Sequence, residues 1–209
     1  MELTYTTPDE IESRSFAILT AELGRELPSD TAPVIKRVIH TTADFDYADN
    51  LWFSPDAVRL AHEALRAGAD IVCDTNMAKS GINKAALGKL GGEVHCFMAA
   101  PDVAKEAKER GVTRAAVCME RAAALNKPLV FAIGNAPTAL VRLHELWRAG
   151  EATPALVIAV PVGFVNVVES KELFIGCGLP AIVARGRKGG SNVAAAICNA
   201  LLYEIASRG

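Results

Sequence analysis

An α/β fold, with a parallel sheet covered on both faces by helices, is the architecture this sequence predicts, and three observations predict it. Beyond Gly68, the short apolar runs ADIVCD, EVHCFMA, PLVFAIG, ALVIAVP and PAIVAR alternate with segments of helical character. Those runs are apolar throughout and do not alternate with polar residues, as expected of strands buried on both faces. The first third of the chain reads instead as consecutive helices. The expectation is a three-layer, doubly wound domain with a five-stranded parallel sheet of flavodoxin-like order and an extra helical N-terminal segment. It covers residues 1–209 as one domain, since 209 residues suit one sizeable core and there is no internal repeat, low-complexity tract or linker.

The elements follow in order. PDEIESRSFAILTAEL carries Ile11, Ser15, Ile18 and Leu19 at helical spacing, with Pro8 and Asp9 near its start. SDTAPVIKRVIHTTADF sets Val34 and Val38 beside the Ile35/Ile39 pair, a second helix. SPDAVRLAHEALRAG predicts a third, with Ser54 as N-cap, Pro55 at the first helical position and Gly68 closing it. Between the strands, DVAKEAKERG, TRAAVCMERAAALN, APTALVRLHELWRAG and NVVESKELFIGCG supply the crossover helices, and SNVAAAICNALLYEIASRG ends the chain as a helix.

Composition narrows the function. A formal net charge of −2 argues against nucleic acid, which needs a basic surplus. The longest apolar run, ALVIAVPVGFV, is too short for a membrane span and is broken by Pro161 and Gly163, so no membrane partner is expected. The acidic N-terminus MELTYTTPDEIE does not look like a secretory signal. Cys73, Cys96, Cys118, Cys177 and Cys198 form no CxxC pair and read as reduced thiols of a cytoplasmic protein, with one catalytic cysteine as the alternative. A chain that is 51% hydrophobic, with a mean hydropathy of +0.22, has apolar surface to spare for a permanent interface, and a homodimer is expected.

Function should lie beyond the carboxyl ends of the strands, where ligands bind in such sheets. The segments there are TNMAKSGINK, NAPTAL, VGFVNVVESK and GRKGGSN. The last is the richest. Gly186, Gly189 and Gly190 let backbone amides approach a ligand, Ser191 can cap the next helix, and Arg185, Arg187 and Lys188 add charge: an anion site, or a solvated turn. In NVVESK, Asn166 and Glu169 fit a capping box, leaving Lys171 on the helix surface. In GNAPTAL, an N-cap and early Pro137 follow Gly134 and Asn135. There is no P-loop, GCGLPA sits wrongly for a dinucleotide fingerprint, and Cys–His spacing suits no metal, so no cofactor is expected. TADFDYAD holds Asp44, Asp46 and Asp49 without the glycine and glutamate of a calcium loop. His62 and His144 fall in helices and His95 in a strand. His40, ending an apolar helical turn before a polar loop, is either a core residue or an acid–base group.

In sequence order, SRSFAI, RVIH, CDTNMAKSGI, GVTRAA, AIGNAPTAL, PVGFVNVVESK and GRKGGSNVAAAICNAL resemble the precorrin-8X methylmutase family of cobalamin biosynthesis, from about Ser13 to Leu201. The resemblance implies a cofactor-free isomerase that moves a methyl group from C-11 to C-12 of a corrinoid tetrapyrrole, working as a flavodoxin-like homodimer with its site near the subunit interface. It also implies that His40 is the acid–base group at a ring nitrogen. Ser15, Arg37 and Arg114 become the first substrate contacts, joined by Lys171, Arg185, Gly189, Gly190 and Ser191. Arg37 lies one helical turn before His40, so both can face one pocket. Two departures stand out. Asn166, Val167 and Val168 occupy positions where the family commonly has small residues, and Lys188 occupies one that is often uncharged, where it adds a carboxylate contact or faces water. The alternatives are a non-catalytic corrinoid carrier that hands product to the next enzyme, and a flavin- or nucleotide-binding protein.

Overall fold

The computed structural model describes residues 7–207. Helices α1 (Pro8–Leu23), α2 (Ala32–Thr42) and the single turn α3 (Tyr47–Asn50) precede strand β1 (Leu51–Phe53). Helix α4 (Ala57–Arg66) leads into β2 (Asp70–Cys73), and α5 (Asn76–Gly81) with α6 (Lys84–Lys89) into β3 (Val94–His95). Then come α7 (Pro101–Arg110), α8 (Arg114–Ala123) and β4 (Leu129–Ile133), α9 (Pro137–Arg148) and β5 (Leu156–Ala159). Helix α10 (Val167–Glu172), β6 (Ala181–Ala184) and α11 (Ser191–Ser207) complete the chain.

The strands form one mixed sheet in the order β1-β6-β5-β4-β2-β3. The strands β2 to β6 run parallel, in register pairs such as Val72↔Phe131, Phe131↔Val157 and Ile158↔Ile182. Every residue of β2, β4, β5 and β6 is buried. Side chains along each strand point alternately to two separate cores. Val130, Ala132, Ile158 and Ile182 pack with α2, α4 and α11 on one face, while Phe131, Ile133, Val157 and Val183 pack with α7, α8 and α9 on the other. This double burial explains why these strands carry no polar alternation.

Three expectations need correction. The sheet has six strands, because β1 joins β6 antiparallel through Leu51↔Ala184 and Phe53↔Ile182. Three residues are too few to show a period in sequence. Ser54 does not cap α4. Its amide donates to the Ala181 carbonyl (2.9 Å) and its hydroxyl accepts from the Ala181 amide (2.9 Å), so it prolongs the β1–β6 ladder, and the helix starts after Asp56, which has φ 59°. The Asn166–Glu169 capping box does not form either. Asn166 sits in the left-handed region at φ 55° and its side chain caps nothing. A short side chain there tolerates a backbone that most residues resist.

Candidate active site

The carboxyl ends of β2 and β4 are drawn together by a buried carboxylate that no sequence motif announced. Asp74, the first residue after β2, has no solvent exposure. Its oxygens accept from the backbone N–H groups of Gly134 (2.9 Å), Asn135 (2.8 Å) and Ala136 (2.6 Å), at the start of α9. Burial pushes its carboxyl pKa up, and those three amides oppose the rise. The side-chain oxygens of the next residue, Thr75, and of Ser191 share a hydrogen bond (2.7 Å), which pins the start of α11 to the end of β2. Gly134 passes so close to the neighbouring loop that a Cβ would lie 2.8 Å from both the Gly190 carbonyl oxygen and the Ser191 Cα. A carboxylate directly following the apolar run Ile71–Cys73 was the available signal.

The glycine-rich loop is fixed from three sides. Gly190 N–H donates to the Val160 carbonyl (2.9 Å), and Gly163 N–H to the Arg187 carbonyl (3.2 Å). From beneath, Lys171 reaches out of α10 and donates its Nζ to the carbonyls of Gly186 (2.9 Å) and Lys188 (2.7 Å). This corrects the expectation that Lys171 lies on the helix surface. Its side chain is fully buried with its ammonium committed to main-chain oxygens, and burial lowers its pKa to about 8. Lys188 is exposed, with 47% of its side chain open to solvent, but its ammonium is already paired. Its Nζ donates to Asp44 (2.6 Å) and Asp46 (2.6 Å), and this hydrogen bond holds the Asp44 carboxyl below the usual carboxylate range. Asp44 and Asp46 thus serve a lysine. Arg185 lies half-exposed, its guanidinium 3.5 Å from Glu172.

His40 stands in the last turn of α2, exposed, its ring stacked on Phe16 of α1 at 5.1 Å between centroids and 11° between planes. Arg37 faces the same way. Its guanidinium lies between the rings of Phe16 (4.9 Å) and Tyr203 (5.3 Å) and is ion-paired to Glu12. His40, Ile39, Ala43, Ser15, Ile18, Leu19, Glu22 and Phe45 line an open groove of about 220 Å³. The structure therefore brings Ser15, Arg37 and His40 together, and the Lys188–Asp44/Asp46 bonds join them to the loop of Gly189, Gly190 and Ser191. Arg114 begins α8 in the opposite helical layer, so it does not share this surface through its own helix pair. Phe16 and Tyr203 were not anticipated, since an aromatic at helical spacing is usually core.

Elsewhere on this edge, Val162, Phe164 and Val165 are exposed, Phe164 by 82%, with the Arg187 guanidinium 5.5 Å from the Phe164 ring centre. Three of the cysteines are poor nucleophiles. Cys73, Cys118 and Cys198 are buried, and burial pushes the Cys118 and Cys198 thiols up to about 11 and about 12.

Comparison with known proteins converges on one family. Residues 10–204 match the family model of precorrin-8X methylmutase. The cobalt-precorrin-8 methylmutase of Salmonella typhimurium is 48% identical over 206 residues, covering 95% of this chain and 96% of that protein. The precorrin-8X methylmutase of Pseudomonas aeruginosa is 42% identical over 197 residues, 93% of this chain and 94% of its own. The crystal structure of precorrin-8X methylmutase from Thermus thermophilus superposes with a TM-score of 0.86 at 40% identity, covering 96% of this chain and 99% of that one.

Proposed function

Because this chain belongs to the precorrin-8X methylmutase family, isomerases of cobalamin biosynthesis, we propose that it moves the C-11 methyl group of precorrin-8X or cobalt-precorrin-8 to C-12, with His40 as the acid–base group. The product is hydrogenobyrinic or cobyrinic acid. In this [1,5]-sigmatropic shift the C-11–methyl bond breaks as the C-12–methyl bond forms. His40 lends a proton to a ring nitrogen and takes it back, so substrate and product are isomers and no oxidant or reductant is consumed. The observation that carries the reading is the presentation of His40: an accessible imidazole, stacked on Phe16, beside a fixed guanidinium and at the rim of an apolar groove.

The remaining assignments follow from what a large apolar ring with acidic side chains requires. Ser15 and Arg37 flank the acid, and the Gly189 amide with Ser191 and Arg185 receives carboxylates, whereas the Gly190 N–H is already given to the Val160 carbonyl. Lys171 acts beneath that loop. The groove beside His40, at about 220 Å³, falls short of the ~300 Å³ at which ligand clefts begin. A homodimer supplies the missing wall, which suits the exposed Phe164 and Val165 and offers Arg114 a place in the site. We also read residues 1–209 as one domain, the order β6-β5-β4-β2-β3 as flavodoxin-like winding with β1 added at the edge, and the five free thiols as suited to the cytoplasm. Among the described residues no helix is long and apolar enough to cross a membrane. An open site also favours handover of product to the next enzyme.

The test is anaerobic conversion of metal-free and cobalt-containing precorrin-8 by the purified protein, followed by visible absorption, with His40→Ala beside it. Turnover by the wild type and binding without turnover by the variant are expected. Binding without conversion by both would make the protein a carrier, and normal turnover by the variant would remove His40 from the chemistry.

A further inference from the structure

Among the described residues, Lys188 is the one cation that joins the acid-bearing segment to the glycine-rich loop, and its two connections run in different directions. Its backbone is held from inside, where its carbonyl accepts from Lys171 Nζ (2.7 Å). Its side chain crosses to the turn that follows α2, where Asp44 and Asp46 both accept from Nζ at 2.6 Å. That turn is itself an ordered extension of the His40 helix. Ala43 takes the left-handed conformation (φ 53°) and donates its N–H to Ile39 (2.7 Å). Thr42 Oγ1 donates to the Val38 carbonyl (2.8 Å) and accepts from the Asp44 amide (3.3 Å), and the Asp46 amide donates to Asp44 (3.1 Å). Three residues lie between His40 and Asp44, and Lys188 directly precedes Gly189.

We infer that Lys188 is a positioning residue, a tie that holds the His40 turn at a fixed offset from the loop 186–190 and is occupied by Asp44 and Asp46 instead of by a substrate carboxylate. This rests on the function proposed above and deepens it. Proton transfer to one ring nitrogen requires the carboxylate-binding loop and the imidazole to be set at one separation, and a misplacement of about 1 Å is felt in the chemical step. The tie also covers a local electrostatic problem. Two carboxylates beside the site would repel an acidic substrate, and the ammonium between them cancels half of that charge.

Lys188→Met and the double variant Asp44→Asn/Asp46→Asn break the same tie from opposite ends, and a triple variant combines them. Each is expected to lower kcat about fivefold, the scale of an exposed ion pair, with KM within twofold of wild type. The triple variant should be no slower than either parent. If Lys188 held a substrate carboxylate, Lys188→Met would raise KM several-fold while the aspartate variants did not, and the inference would be overturned. Unchanged kinetics in all three would overturn it equally. A second readout does not depend on turnover. Amide hydrogen exchange of the ligand-free protein should quicken in segments 41–46 and 186–190 together in Lys188→Met. Exchange unchanged in both segments refutes the tie, whereas a wild type that fails to convert precorrin-8 refutes the methylmutase reading and leaves the exchange result standing.

Discussion

Burying Lys171 has a consequence for stability that can be worked out with its sign. The side chain has no exposure, and its Nζ meets only the carbonyls of Gly186 and Lys188 at 2.9 and 2.7 Å. Burial lowers its pKa from 10.5 to about 8. Below pH 8 both folded and unfolded chains carry the charge, and the folded state bears the full cost of keeping it out of water. Between pH 8 and 10.5 the folded chain releases this proton first. The unfolded chain then binds more protons, so stability rises with pH across that window. Each pH unit between the two values is worth ~1.4 kcal/mol, so going from pH 7 to 9.5 recovers about 2 kcal/mol. The neutral amine keeps two N–H donors, so both carbonyl bonds survive the change. Lys171→Met has nothing to titrate and leaves two carbonyls without a donor. Urea unfolding of both proteins at pH 7, 8, 9 and 9.5 should show wild type gaining about 2 kcal/mol on the variant. Parallel curves would refute the argument from burial. A wild type that loses ground as pH rises would show that the loop carbonyls stabilise the ammonium more than burial destabilises it.

Three further outcomes follow from close contacts. In Gly189→Ala the new Cβ would lie 2.1 Å from the Val160 carbonyl oxygen, so the loop must move off β5. Urea unfolding should report a loss of at least ~2 kcal/mol, and an unchanged midpoint would show that the loop is not pressed against the strand. Asp74→Asn keeps one acceptor oxygen for the Asn135 and Ala136 amides but sets its NH2 against the Gly134 donor, and the same measurement should show a loss of about 2 kcal/mol; a neutral result would mean that α9 finds its cap elsewhere. Phe16→Leu removes the ring beneath His40 and one face of the Arg37 sandwich while Phe16→Tyr keeps both. In the methylmutase assay kcat should fall several-fold in the first and hold in the second, and equal rates would dismiss the stack.

The fold was legible where burial imposed a pattern on whole segments. PLVFAIG and ALVIAVP read as buried strands because both their faces meet helices, and Phe131 and Val130 do point into different cores. Helix α1 could be bounded by its proline start and apolar spacing, and it runs over Pro8–Leu23. What stayed hidden was set by tertiary pairing. Leu51, Trp52 and Phe53 are a strand only because β6 is beside them, and Ser54 abandons the cap that its sequence suggests because Ala181 offers it a ladder position. An isolated reading of SPDA contains no trace of residue 181, so local propensity favours the helix cap and the sheet overrides it.

The candidate site divides along a similar line, between residue types that chemistry demands and the groups that hold them. His40 stood out by its place between an apolar turn and a polar loop, Arg37 and the role of both came from the resemblance of RVIH to the family's motif, and glycines could be named where amides must come close. Their supports are ordinary residues with unusual partners. Asp74 looks like any residue after a strand until three amides of the neighbouring turn converge on it. Lys171 and Lys188 look like exposed helix and loop charges, yet one is buried under the loop and the other spans to Asp44 and Asp46. Sequence spacing encodes neighbours within one helix, whereas Lys188 and Asp44 are 144 residues apart and become neighbours only once the sheet has set the ends of α2 and β6 side by side. The positions least legible in the sequence are therefore the ones that set distances inside the site, and substitutions there separate catalysis from binding more cleanly than substitutions in the groups that touch substrate.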